Sequence, residues 1–148
     1  MKWIQVSSHH HQQHIYELWN NEEKLVAFSF HSGHGTIRVL SDHPRVFQLR
    51  KEGFLRNRTA LLNEYGIKIA AIVEETDLQI GSIEIEEKKF KYAIHNRLYK
   101  DVFIYEGENE TPFVTCELPA ALHNYKALLL LLCWYKLQPQ NKKQLQSA

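Results

Sequence analysis

The sequence predicts a β-rich α+β domain: a closed or nearly closed antiparallel barrel of about 10–12 strands around a buried C-terminal hydrophobic helix. Three observations predict it. Short segments of alternating hydrophobicity recur along the chain, compact polar links separate them, and one apolar run near the C-terminus lacks any polar stripe.

The strands are expected at Trp3–Val6, Ile15–Trp19, Leu25–His31, Thr36–Leu40, Arg45–Arg50, Thr59–Asn63, Ile67–Val73, Gln79–Glu86, Lys89–Ile94, Val102–Glu106 and Phe113–Leu118. The alternation is clearest where Gly81, Ile83 and Ile85 interleave with Ser82, Glu84 and Glu86, and where Phe90, Tyr92 and Ile94 interleave with Lys89, Lys91 and Ala93. A period of two puts one set on a buried face and the other in water. The links are hairpin-like: Asn20-Asn21, Ser32-Gly33-His34-Gly35, Asp42-His43-Pro44, Glu64-Tyr65-Gly66, Glu86-Glu87 and Gly107 to Pro112. Short links favour a meander, and so many strands favour closure, which removes exposed edges. A weak repeat with an offset of 43 aligns Phe47-Gln48-Leu49 with Phe90-Lys91-Tyr92 and Leu61-Leu62 with Ile104-Tyr105.

The helix is expected over about Ala120 to Leu137. Leu128 to Leu132 are five leucines in succession, favouring helix over strand, with Pro119 at the first turn and Pro139 past the end. Lys126 and Lys136 bracket an apolar segment too short for a transmembrane span, which needs about 20 residues. A helix apolar all round must be enclosed, and a surrounding barrel encloses it. The organisation is thus one domain over residues 1–138 and a polar C-terminal tail over 139–148.

Composition narrows the function. Eighteen Lys and Arg against seventeen Asp and Glu give a formal net charge of +1, so nothing global points to nucleic acid. Cys116 and Cys133 read as small buried hydrophobes in a reducing compartment, and MKWIQVSSHHHQQH lacks the apolar run of a secretory signal. The expected location is cytoplasmic, peripheral to a membrane.

The hairpin Ala60 to Ile69, the strand pair Tyr99 to Leu118 and the closing run Tyr125 to Leu137 together resemble the tubby C-terminal-like superfamily, which includes phospholipid scramblases and LURP-one-related proteins. The resemblance is architectural and runs from about Ile15. It implies a barrel threaded by its last helix, with Lys and Arg on the barrel for phosphoinositides. A pleckstrin-like barrel is the second fold, though its closing helix is normally one-sided.

Residue chemistry favours a binding module over an enzyme. No G-x-S-x-G elbow exists, Gly33-His34-Gly35 precedes a strand and not a helix N-terminus, and the acids Glu84, Glu86 and Glu87 belong to a solvated strand face. Of nine histidines, His10 and His14 are weak metal candidates at i, i+4 spacing, without a Cys or carboxylate to complete a ligand set. His31 and His34 flank a Gly-rich turn. Two basic stretches stand out, and the repeat relates them. Arg45, Arg50, Arg56 and Arg58 with Lys89, Lys91, Arg97 and Lys100 are the candidate ligand-binding residues, on the expectation that both stretches converge on one end or face. The expected function is a non-enzymatic module, without cofactor, binding anionic lipid headgroups or a protein partner through the outer barrel. A structural protein, such as a homodimer formed through a sheet edge, is the alternative, followed by a metal-dependent protein using the N-terminal histidines.

Overall fold

Along the chain, apolar side chains at alternate positions turn to one side and charged ones to the other, and this builds a wall with an inside. A computed structural model describes residues 1–10, 13–53, 57–75, 79–96, 100–118 and 128–132. Eleven strands follow in order: β1 (Lys2–His10), β2 (Gln13–Asn20), β3 (Glu23–His31), β4 (Thr36–Val39), β5 (Arg45–Glu52) and β6 (Arg58–Leu62), then β7 (Lys68–Glu74), β8 (Ile80–Ile85), β9 (Lys88–Asn96), β10 (Lys100–Glu106) and β11 (Val114–Leu118). Each of the eleven expected strands is present. β1 runs on past Val6 to His10 and pairs there with Gln13, so the histidine tract forms part of a hairpin.

Neighbours in sequence pair antiparallel around the ring, and β1 meets β11 to close it. The expected all-antiparallel barrel is corrected at that seam, where the pairing is parallel, with Lys2 opposite Glu117. The reason is parity: in a meander of eleven strands the first and last run the same way.

The interior is the apolar set that the alternation selects. In β8, Gly81, Ile83 and Ile85 are buried, and in β9 Phe90, Tyr92 and Ile94. Ring packing ties strands together: Trp3 meets Phe28 edge-on at 5.3 Å, and Tyr16 lies 5.5 Å from Phe28. Gly81 is an inward position with no room for a side chain, because the Val73 carbonyl and the Tyr92 ring fill the place of a Cβ. Leu128 to Leu132 take the α-helical form, and all five are buried in the same apolar cluster as the barrel residues. The rest of the helix expected over Ala120 to Leu137 and the tail 139–148 lie outside the described residues. No helix among the described residues is long and apolar enough to cross a membrane.

Cys116 faces inward from β11 and is fully buried, and burial pushes its thiol up to about 12. Its thiol should be silent to a thiol reagent in the native protein and react in denaturant; rapid native labelling of Cys116, read by mass spectrometry, would contradict this packing. Phe47 is fully buried between Ile37 and Leu61 strands and supports the Arg45 guanidinium 4.9 Å from its ring centroid. Phe47→Ala should cost ~3–5 kcal/mol in a denaturant titration; a loss below ~1 kcal/mol would remove Phe47 from the core.

Candidate anion-binding wall

A meander sorts its links by end. The links 21–22, 40–44, 63–67, 86–87 and 107–113 lie at the end where β1 starts. They carry Glu22, Asp42, Glu64, Glu86, Glu87, Glu108 and Glu110 and no Lys or Arg. The opposite, far end holds the β3–β4 turn Ser32 to Gly35 and the strand ends with Arg50, Lys51, Arg58 and Lys100, together with Glu52, Glu74 and Glu75, while Lys2, Lys24, Arg45, Lys68 and Lys88 stand on the strand ends beside the acidic links.

The expected basic residues do not form one patch. β5 and β9, which the sequence repeat relates, stand four strands apart in a ring of eleven. Arg45 sits at the acidic end, where Glu64 clamps it: Nε and Nη2 donate to Glu64 Oε1 at 3.3 and 2.9 Å, and the Val46 amide donates to Oε2 at 3.2 Å. Arg50 pairs with Glu52 at 2.8 Å, and Arg58 with Glu84 at 2.7 Å and Glu52 at 3.7 Å. Lys68 joins Glu52 at 3.4 Å. Of these, Arg58 and Lys68 line a shallow hollow of about 130 Å³ over Ala70 and Ala71, with Glu84 and Glu86 also in its lining. Carboxylates inside it make it a poor seat for an anion. Lys89 and Lys91 stand exposed on the outer face of β9, Lys89 opposite Glu84. Lys100 pairs with Asn96 and Leu118 in the sheet, while Arg56 and Arg97 lie outside the described residues.

The histidine candidates separate too. An i, i+4 spacing joins side chains on a helix, but His10 and His14 stand on opposite strands of the β1–β2 hairpin. His14 is buried inside the barrel, its Nδ1 3.4 Å from Gln5 Nε2. Among the described residues no group of three or more His, Cys, Asp or Glu is arranged to hold a metal.

A site that sequence reasoning passed over lies on the outer wall of β2, β3 and β4. Cross-strand register lines up Gln13, His31 and Thr36 in one row and Ser29 and Arg38 in the next. With His34 these residues line a groove of about 160 Å³, and among the described residues its lining holds no carboxylate. Arg38 is exposed and makes no ion pair with any described residue. The turn is held stiffly. Gly35, in the left-handed region at φ +67°, donates to the His31 carbonyl at 2.8 Å, and its own carbonyl accepts from the Leu49 amide at 2.8 Å. A Cβ on Gly35 would stand 3.1 Å from the Leu49 carbonyl. Gln48 donates to the His34 carbonyl and accepts from the Thr36 hydroxyl.

The two imidazoles stack with centroids 4.4 Å apart and 21° between planes. The His34 amide donates to His31 Nδ1 at 3.2 Å, which places the proton of the neutral His31 ring on Nε2. The groove therefore offers a guanidinium, an imidazole N–H and the Gln13 amide, the donor set that recognises a carboxylate, sulfate or phosphate. The signal in the sequence was Arg38 four residues after His34, legible only once the register was known.

No protein-family model matches the chain, and no curated protein or solved structure matches it either.

Glu64 is held below the usual carboxylate range, first by the Arg45 guanidinium and then by the Val46 amide. A folded-state value below the unfolded one stabilises the fold above the unfolded value, and that contribution fades as pH falls through the folded one. The melting temperature should accordingly fall as pH drops below ~4.5, and Glu64→Gln should flatten part of that drop. An unchanged acid limb in Glu64→Gln, followed by circular dichroism, would show that the clamp does not form in solution.

Proposed function

We propose that the chain is a non-enzymatic binding module whose outer wall receives an anionic headgroup. The observation that carries this reading is the groove of Gln13, Ser29, His31, His34, Thr36 and Arg38, which gathers donors and one unpaired guanidinium without a carboxylate. Coulomb attraction at such a site is not offset by local acids, unlike that of Arg45, Arg50 and Arg58. The reading moves the site from the two basic stretches to the β3–β4 hairpin and keeps the expected ligand class. A cytoplasmic module docking at an anionic membrane surface is its cellular form.

The tubby-type architecture belongs to the same reading. Five successive residues exceed one helical turn, so burial of all five from Leu128 to Leu132 leaves no side of that turn in water, as a helix enclosed by the wall requires.

Co-sedimentation with vesicles tests the proposal. Vesicles containing phosphatidylserine should retain the protein in low salt, lose it in high salt, and bind Arg38→Gln about fivefold more weakly, the loss expected for one basic contact near a charged surface. Equal retention on neutral phosphatidylcholine vesicles, or no effect of Arg38→Gln, would overturn it.

A further inference from the structure

A second hollow lies on the other side of the β3–β4 turn, at the far mouth of the barrel. Its lining is Phe30, Ser32, Gly35, Leu49, Arg50, Lys51 and Thr59, and its volume is about 180 Å³. The strand alternation explains its make-up. Phe47, Leu49 and Lys51 share the inward side of β5, so the third of them rises at the rim above an apolar floor formed with Phe30. Lys51 pairs across the sheet with Thr59, is exposed, and makes no ion pair with any described residue. Arg50 stands beside it, 58% exposed and held by Glu52 from outside the hollow.

Thr59 supplies a second, independent sign. Its side chain is 4% exposed, and its hydroxyl oxygen has no hydrogen-bond partner among the described residues. A buried hydroxyl without a partner costs stability, and a valine of the same shape would not carry that cost. At the wall of a hollow with a free ammonium on its rim, the hydroxyl is suited to donate to an anion.

We infer that this mouth binds a small amphiphilic anion: a carboxylate or phosphate head on a short apolar stem. The stem lies on Phe30 and Leu49, and the head meets Lys51 and the Thr59 hydroxyl. The floor excludes a bare inorganic ion as the best ligand, because an ion leaves the apolar surface uncovered. The volume, below the ~300 Å³ of a drug-sized site, limits the stem to a few carbons. Lys51 on the rim, with no carboxylate among the described lining residues, disfavours cationic amphiphiles. This site is separate from the Arg38 groove, and each can fail without the other.

Amide chemical-shift mapping of the labelled full chain tests the inference, with hexanoate, hexyl phosphate, hexanol, hexylammonium and inorganic phosphate as probes. Hexanoate or hexyl phosphate should shift Ser32, Gly35, Leu49, Lys51 and Thr59 saturably, and whichever is tighter names the head. Hexanol and inorganic phosphate should bind at least ~10-fold more weakly, the scale of one charge-assisted contact. Hexylammonium should leave these amides unmoved. Lys51→Glu should abolish the shifts, and Thr59→Val should weaken them while raising the melting temperature, a combination that a purely structural Thr59 would not give. Equal shifts with hexanol, full binding by Lys51→Glu, or no saturable shift with either anion would overturn the site. Arg38→Gln should bind hexanoate normally, which separates this result from that of the outer groove.

Discussion

The ring closes where β1 lies beside β11, with Lys2 opposite Glu117 and the Glu117 amide donating to the Met1 carbonyl at 3.0 Å. The amino terminus adds a contact to the Thr115 carbonyl at 3.5 Å. All other neighbours join through antiparallel ladders, most of them with several residue pairs, so the interior is sealed only because this short parallel seam holds. Closure fixes which side of each strand is inside. It keeps Trp3 buried against Phe28 and leaves Ile4 and Val6, one position to either side of that inward set, exposed on the wall. In a sheet, a shift of one residue exchanges the two faces, which would drive Lys89 and Lys91 into the core and Phe90 into water.

The same constraint governs electrostatics on the outside. Arg50 and Arg58 meet Glu52 and Glu84 because alternation sends them outward while the ladder brings β5 to β8 side by side, and the register shift between Leu61 and Leu62 brings Lys68 to the same face. Such exposed pairs contribute little to stability each, and their main effect is to neutralise cations that sequence alone counts as available. Arg38 escapes because its neighbours in register, Ser29 and Val46, carry no charge. Among the described residues the wall therefore leaves the Arg38 guanidinium outside any ion pair while Arg45, Arg50 and Arg58 are paired.

Strand existence was legible because a period of two is a local property: β8 and β9 alternate as written in the chain. Strand ends were less so. β1 extends through the polar residues Ser7 to His10, a stretch without apolar alternation, because it pairs with β2 there. The parallel seam could be counted from eleven strands but not seen in any segment. The site was the least legible part. Local crowding of Arg45, Arg50 and Arg58 attracted notice, whereas their neutralisation by Glu64, Glu52 and Glu84 depends on partners up to 26 residues away. The groove gathers Gln13, Ser29, His31 and Arg38 from three strands, an arrangement that only register reveals.

A net charge of +1 describes an average that no approaching solute experiences. Strands of four to nine residues make a wall roughly 13–30 Å long at ~3.3 Å per residue, before tilt, while fields in physiological salt decay over ~8 Å. Well-separated charges on the wall are thus screened from one another, and a solute meets local groups: the network that joins Arg50, Arg58 and Lys68 to Glu52 and Glu84 in one place, Arg38 or Lys51 in another. Among the described residues the outside therefore acts as separate patches, near neutral in sum, and an anion arriving in solution is drawn to the cations left outside ion pairs and not to the molecule as a whole.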